Sequence, residues 1–261
     1  MRTLLKHSSR AGAPRRPWRS LHRLACVLVA VLGVGTGQTA VASAASATNT
    51  RASSHLRPLQ QLAVLDYEHR AYQSPRTTAR LTASIPAHRP ITGEQTTLPV
   101  IGNSTDRHGQ RWLKVMLPGR PNSSSGWIKR AGTQPQTTGW SILVNTTARH
   151  VWVYYRGQLT RAFPAVVGKP STPTPTGRFF VEETVIMPSS EPGGPYALAL
   201  SARSNVLQQF DGGPGQIAIH GRDGLGGTPG QAESHGCMRL TTANIDWLAS
   251  RIGPGTPVTI R

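Results

Sequence analysis

The chain is 261 residues long and carries 29 Lys and Arg residues against 11 Asp and Glu, a formal net charge of +18. Such a charge favours a polyanion as partner or surroundings, either nucleic acid or an anionic cell envelope. The basic residues are spread along the chain without a dense run or a recognition-helix pattern, which argues against nucleic acid. With 27 Gly and 21 Pro, the composition favours turns and short strands over long helices.

Residues 1–44 have the pattern of an export signal. Seven basic residues and no acidic one occupy the first 23 positions, and the apolar run Leu24 to Val34 follows. That run is shorter than the ~20 apolar residues that cross a bilayer, and Ala42-Ser43-Ala44 is a small-residue cleavage pattern. We expect a secreted or wall-associated protein outside the cytoplasm. The alternative is an uncleaved signal, which would keep the chain at the membrane.

A small all-β domain is predicted over 60–132, between a polar linker at 45–59 and a second linker at 133–139. Short apolar strands, two tryptophans and glycine turns are typical of a small barrel. The run WLKVMLPGRPNSSSGWI at 112–128 resembles the bacterial SH3-like domains found beside cell-wall enzymes. The resemblance implies that 60–132 contacts wall glycan or peptide, or packs on its neighbour as a spacer.

A second β-rich region is predicted over 140–261. Runs of β-branched and aromatic residues predict its strands, and the Pro/Gly/Ser segment from Met187 to Pro195 is suited to a lid. One helix is predicted from Ala243 to Ile252, with Thr241 or Thr242 as its N-terminal cap. The expected fold is mainly β with one clear helix.

Cys237 is the cysteine that remains once the predicted signal, with Cys26, is set aside. A secreted domain with one cysteine forms no internal disulfide, so a structural disulfide does not explain the presence of this thiol. Catalysis is the simplest explanation for a free cysteine in an oxidising compartment. A buried inert cysteine is the alternative. It fits poorly after Ser234-His235-Gly236, which is a polar, turn-forming context.

Two histidines are candidate bases for that thiol, which attacks well only as thiolate. His235 alternates with Cys237 across Gly236, so in an extended backbone both side chains would point the same way. His220 ends an apolar run and reaches the thiol only if its strand end comes alongside. The amides of Gly236 and Cys237 are predicted to hold the oxyanion of an acyl intermediate.

Metal and cofactor patterns do not occur in the sequence. One cysteine and scattered histidines lack paired zinc-ligand spacing, and no phosphate loop or dinucleotide fingerprint is present. We therefore expect a reaction without metal or cofactor.

Several motifs over 140–261 resemble the L,D-transpeptidases in the same order: HG at 220–221 with SHGCMR at 234–239, TPTPTGRF at 172–179, and the ending at 244–260. The resemblance implies an L,D-transpeptidase-like β-sandwich with a cysteine nucleophile, preceded here by the SH3-like barrel. It further implies action on peptidoglycan stem peptides. The enzyme would cut after the third stem residue, release D-alanine and pass the acyl group to an amine, which cross-links two third residues.

The resemblance also assigns roles by position. Cys237 becomes the nucleophile and His220 the base, although His220 alone is equally a hydrogen-bonded strand-end histidine. Many relatives have Thr or Ser soon after the HG pair, whereas this chain has Arg222-Asp223, which leaves acceptor contacts open. The carbonyl of Gly221 is predicted to orient the base, and the oxyanion site is predicted to be shaped by His235, Gly236 and the Cys237 amide. Substrate contacts are predicted for Ser234, Arg239 and Tyr196. For Arg239 the alternative is an ion pair with Asp223 or Glu233.

Three rival functions remain open from the sequence. Water as acceptor would make the enzyme an L,D-carboxypeptidase, and a protein amine would make it a protein-to-wall attachment enzyme. A non-catalytic wall-binding protein, with 60–132 as the working part, is the rival from another class.

Overall fold

The structure, a computed structural model, describes residues 58–188, 190–210 and 212–261. The predicted export signal, and the predicted linker apart from its last two residues, lie outside this range. Within it, the backbone forms seventeen strands and one helix. The strands are β1 (Gln60–Leu65), β2 (His69–Tyr72), β3 (Leu81–Ile85), β4 (Thr97–Thr105), β5 (Arg111–Met116), β6 (Ser125–Lys129), β7 (Thr133–Thr138), β8 (Trp140–Asn145), β9 (His150–Tyr155), β10 (Gln158–Pro164), β11 (Val167–Gly168), β12 (Gly177–Ile186), β13 (Tyr196–Arg203), β14 (Gln216–His220), β15 (Ala232–Ser234), β16 (Met238–Arg239) and β17 (Pro257–Ile260), and the helix is α1 (Thr242–Ala249).

A seven-stranded antiparallel sheet contains the first half of the described chain. Its strand order is β3-β2-β6-β5-β4-β1-β7. Apolar side chains on one face, among them Leu65, Leu98, Val115 and Ile128, are fully buried and form its core. The SH3-like character of this region stays a prediction.

The linker predicted at 133–139 is wrong as a description of local structure. Residues 133–138 form β7, which pairs with β1 from Leu65↔Thr133 to Gln60↔Thr138. The segment reads TQPQTT, is mostly exposed and lies at the sheet edge. An edge strand that buries little has no need of the apolar alternation that marks a strand in sequence, which is why none was visible.

An eight-stranded mixed sheet contains the second half, in the order β10-β9-β8-β17-β12-β13-β14-β16. The pairs β17–β8 and β14–β16 are parallel, and the other neighbours are antiparallel. Helix α1 packs on this sheet through Ile245 and Leu248, both fully buried. The prediction of a mainly-β fold with one helix is confirmed for the described residues. No helix within them is long and apolar enough to cross a membrane.

The predicted helix boundaries differ from those observed. The α-helix stops at Ala249, and Arg251 and Ile252 continue as a turn whose amides both donate to the carbonyl of Leu248. Thr241 occupies the N-cap position without a side-chain capping bond. The residue after it, Thr242, donates its hydroxyl to Asp223 instead, at 2.6 Å.

Strand β12 connects the two sheets. Phe179 belongs to the core of the eight-stranded sheet, and Phe180, pointing to the opposite face, belongs to the core of the seven-stranded one. Next to them, buried Glu182 pairs with Arg89 and accepts from Arg203 at 3.1 Å. Burial lowers the pKa of Arg203 to about 10. The two sheets therefore share apolar and ionic contacts.

Candidate active site

The predicted nucleophile and base lie on neighbouring strands. Cys237 directly precedes β16, and His220 ends β14, the parallel partner of β16. Ile219 and Met238 pair with each other and are fully buried, whereas the alternate residues His220 and Cys237 are half-buried. Because side chains alternate between the two faces of a sheet, His220 and Cys237 share the face opposite the core.

Backbone groups of β14 surround the sulfur of Cys237. The N–H of Ala218 donates to Sγ at 3.4 Å, and the carbonyl oxygen of Gln216 lies 4.0 Å from Sγ. Burial raises the pKa of the thiol, while the Ala218 N–H and the positive charge of Arg239 lower it by less. The resting group at neutral pH is therefore the thiol, and a base must remove its proton before attack.

His220 is oriented by the carbonyl of the next residue. Its Nδ1 lies 2.6 Å from the carbonyl oxygen of Gly221, which only accepts, so Nδ1 carries the proton and Nε2 keeps its lone pair. Burial lowers the pKa of the imidazole, the contact with Gly221 opposes this, and the charge of Arg239 lowers it further. The ring is therefore neutral at pH 7, as a general base must be.

The loop predicted as a lid packs directly on His220. The N–H of Gly193 donates to the carbonyl of Asp223 at 2.7 Å. A Cβ on Gly193 would lie 2.9 Å from Nδ1 of His220, and one on Gly221 would overlap the carbonyl of Gly194. Glycine at 193 and 221 allows this close approach. The loop covers the base in this structure, and its opening stays a prediction.

Ser234 holds the turn that precedes the nucleophile. Its hydroxyl donates to the carbonyl of Cys237 at 2.6 Å and accepts the N–H of Gly236 at 3.1 Å, and the residue is 0% exposed. A side chain with no exposed surface cannot meet a substrate, so the predicted substrate contact is corrected to a role within the turn. The Gly236 N–H is also used there, so of the two predicted oxyanion donors only the Cys237 N–H is left free by the turn.

Gly236 takes a conformation that other residues rarely adopt. Its φ is +122°, and an added Cβ would lie 2.9 Å from Cδ1 of Ile217. Both the left-handed backbone and the close approach to the core require glycine here. The backbone is thus not extended at this point, and the expected alternation of His235 with Cys237 is wrong.

Two threonines that were not among the predicted site residues also hold this turn, through its carbonyl groups. Thr172 donates its hydroxyl to the carbonyl of Ser234 at 3.1 Å, and Thr174 donates to the carbonyl of Gly236 at 2.8 Å. Both threonines are buried. In the sequence both belong to the motif TPTPTGRF at 172–179, which supports the family resemblance but does not show what the threonines contact.

His235 points away from the protein interior. It is exposed, and its ring lies against that of Phe210 with 5.5 Å between centroids. The structure therefore leaves His235 exposed at the rim of the site, whereas His220 lies on the same sheet face as Cys237. Its predicted part in the oxyanion site stays a prediction.

Arg239 shares the face of His220, with which it is paired in register. Its Nη1 donates to the carbonyl of Gly226 at 3.0 Å. Among the described residues no carboxylate forms an ion pair with it, so the alternative of a pair with Asp223 or Glu233 is wrong. The charge instead acts on its neighbours: it lowers the pKa of both His220 and Cys237.

Tyr196 is half-buried and packs against the core of the eight-stranded sheet. Its carbonyl accepts the N–H of Gly221 at 3.3 Å, which supports the residue that orients His220. The predicted contact of its side chain with substrate stays a prediction. In the described part of the chain, no three His, Cys, Asp or Glu side chains cluster as metal ligands.

Comparison with known proteins matches the region that contains this site. The model of the YkuD family, the L,D-transpeptidase catalytic domain, matches residues 139–260. The L,D-transpeptidase homologue YkuD of Bacillus licheniformis is 32% identical over 157 residues, 56% of this chain and 85% of that protein. L,D-transpeptidase 1 of Mycobacterium tuberculosis is 26% identical over 227 residues, 69% of this chain and 89% of that protein.

Among solved structures, an L,D-transpeptidase from Mycobacterium smegmatis matches 64% of this chain and 91% of its own, at 20% identity and a TM-score of 0.37. The extent and identity of the Bacillus match decide the family. The chain belongs to the L,D-transpeptidases.

Proposed function

We propose that the protein is an exported peptidoglycan L,D-transpeptidase in which Cys237 is the nucleophile and His220 the general base. The observation that carries this proposal is the geometry of the pair. His220 and Cys237 share one face of two paired strands, and the bond from Nδ1 to Gly221 leaves Nε2 free to accept a proton. Export rests on the signal pattern over 1–44.

The first half-reaction forms a thioester. Nε2 of His220 takes the thiol proton, and the thiolate of Cys237 attacks the carbonyl carbon of the third stem residue. The Cys237 N–H faces the oxyanion of the tetrahedral intermediate. The carbon–nitrogen bond then breaks, the leaving amine takes the proton from His220, and D-alanine departs.

The second half-reaction transfers the acyl group. An amine of a neighbouring stem attacks the thioester carbonyl and gives its proton to His220. The carbon–sulfur bond breaks, the sulfur recovers the proton from the imidazole, and an amide joins two third residues. One cysteine thus serves both steps, which predicts ping-pong kinetics.

Mass spectrometry of muropeptides tests this function. Incubation with disaccharide-tetrapeptides should release D-alanine and give dimers linked between third residues. Tripeptides without dimers would instead identify an L,D-carboxypeptidase. Unchanged tetrapeptides, from a protein that still sediments with purified wall, would leave wall binding as the activity and contradict the proposal.

A further inference from the structure

The loop between β13 and β14 leads directly into the site. It spans residues 204–215, described except for Asp211, and ends at Gln216, whose carbonyl lies 4.0 Å from Sγ of Cys237. Two residues further on, the Ala218 N–H donates to the same sulfur. The end of this loop therefore determines the position of Gln216, where β14 begins beside the sulfur of Cys237.

The tip of the loop reaches the other side of the nucleophile. Phe210 is 50% exposed and lies against His235, two residues before Cys237. The cysteine region is thus contacted twice, through Gln216, the residue of β14 that directly follows the loop, and through Phe210 in the loop itself. A shift of the loop would move both.

A guanidinium from the seven-stranded sheet holds the two ends of this loop together. Arg120, between β5 and β6, donates to the carbonyls of Ser204 at 2.7 Å, Pro214 at 2.9 Å and Leu207 at 3.3 Å. Guanidinium donors have a fixed planar geometry, so three acceptors bound at once define the relative positions of the loop ends.

Asn122 fixes the beginning of the loop in the same way. Its amide nitrogen donates to the carbonyl of Arg203 at 2.8 Å and to Oδ1 of Asn205 at 3.1 Å, and its own Oδ1 accepts the N–H of Arg203 at 2.8 Å. The side chain therefore uses both of its polar ends on the last residue of β13 and the loop that follows.

We propose that Arg120 and Asn122 are positioning residues for the reaction at Cys237, and that the seven-stranded sheet thereby takes part in acyl transfer. The proposal rests on the proposed function. The proposal gives residues 117–124 a role in the reaction, which differs from the roles of a spacer or a wall-binding module. A spacer would need contact between the sheets but no set of hydrogen bonds aimed at the loop beside the nucleophile.

The test compares Arg120→Gln and Asn122→Ala with wild type in the full chain, with Arg70→Gln as the matched control because Arg70 is exposed on β2 and makes no ion pair among the described residues. Hydrogen exchange should accelerate about tenfold in peptides covering 204–218 in both variants, since each loses bonds worth that factor or more. The rate of thioester formation from a tetrapeptide donor should fall about tenfold. The Arg70→Gln protein should match wild type in both.

Unchanged exchange over 204–218, or unchanged acylation despite faster exchange, in folded Arg120→Gln or Asn122→Ala protein would overturn the proposal. Arg120→Lys, which keeps the charge but not the planar fork, should resemble Arg120→Gln in exchange if geometry matters. Hydrogen exchange is measured without substrate, so it tests the loop independently of the proposed activity. If the variants exchange faster over 204–218 but the wild-type protein forms no thioester, the result contradicts the transpeptidase activity and not the role of Arg120 and Asn122 in holding the loop.

Discussion

The backbone N–H of Ala218 donates to the sulfur of Cys237 at 3.4 Å. This bond ties the nucleophile to the strand that ends in His220, so the two reacting groups share one support. Neither residue needs the other to hold its place: the sulfur is fixed by Ala218 and the imidazole by the carbonyl of Gly221.

The pH dependence of acylation should reflect a histidine with a lowered pKa. Because only neutral His220 accepts the thiol proton, kcat/KM should fall on the acid side, and the lowered pKa places that fall below about pH 6.5, the ordinary value for histidine. The charge of Arg239 contributes to the lowering. In Arg239→Gln the acid limb should therefore move to higher pH, and an unmoved limb would contradict the electrostatic role of Arg239.

Thr174 should prove important although its side chain is buried. Thr174→Val removes the buried bond to the Gly236 carbonyl and leaves the Gly168 N–H without its acceptor. Buried groups left without partners cost about 1–3 kcal/mol each. We expect urea unfolding to show a loss of about 2–6 kcal/mol for the two groups together, and acylation to slow. Thr174→Ser keeps the hydroxyl and should stay close to wild type, and equal behaviour of the two variants would contradict this reading.

Gly236 should not tolerate a side chain. Gly236→Ala places a Cβ against Ile217 in a left-handed backbone, a strain of about 1–3 kcal/mol. The turn would relax by moving the Cys237 amide, so thioester formation should fall at least tenfold. Gly253→Ala is the control, because a Cβ there meets nothing within 4 Å. A fully active Gly236→Ala protein would show that the turn geometry is not needed.

The buried ion pairs of Glu182, one of which joins the two sheets through Arg89, should matter when the carboxylate is removed. Glu182→Gln leaves the guanidinium groups of Arg89 and Arg203 without their shared buried carboxylate, and breaking such a group costs about 3–5 kcal/mol. The free energy of unfolding should fall by roughly that amount. Glu94→Gln, an exposed carboxylate, should leave it unchanged. A loss below about 1 kcal/mol in Glu182→Gln would refute the importance of these pairs.

The sequence identified the parts of the site that leave a local pattern. The apolar run that ends at His220 indicates a strand, and the polar, turn-forming residues before Cys237 argue against a buried inert cysteine. The neighbouring placement of Cys237 and His220 follows from no local pattern, and it was expected from the family resemblance alone.

Contacts between distant residues could not be predicted, because they leave no periodic trace. Thr174 meets Gly236 across 62 positions and Arg120 meets Pro214 across 94. Ser234 was misassigned for the same reason: a serine that closes a buried turn and one that faces a substrate are identical in sequence. Strand β7 was missed because an exposed edge strand pairs through its backbone and shows no apolar alternation.

The intact mass of the protein after exposure to a labelled tetrapeptide donor tests the central assignment most directly. The wild-type protein should gain the mass of the donor less D-alanine, located by peptide mapping at Cys237, and Cys237→Ala should gain nothing. His220→Gln should form the adduct far more slowly, by about a hundredfold or more. An adduct that persists in Cys237→Ala, or a wild-type protein that never acquires one, would contradict the assignment of Cys237 as the nucleophile.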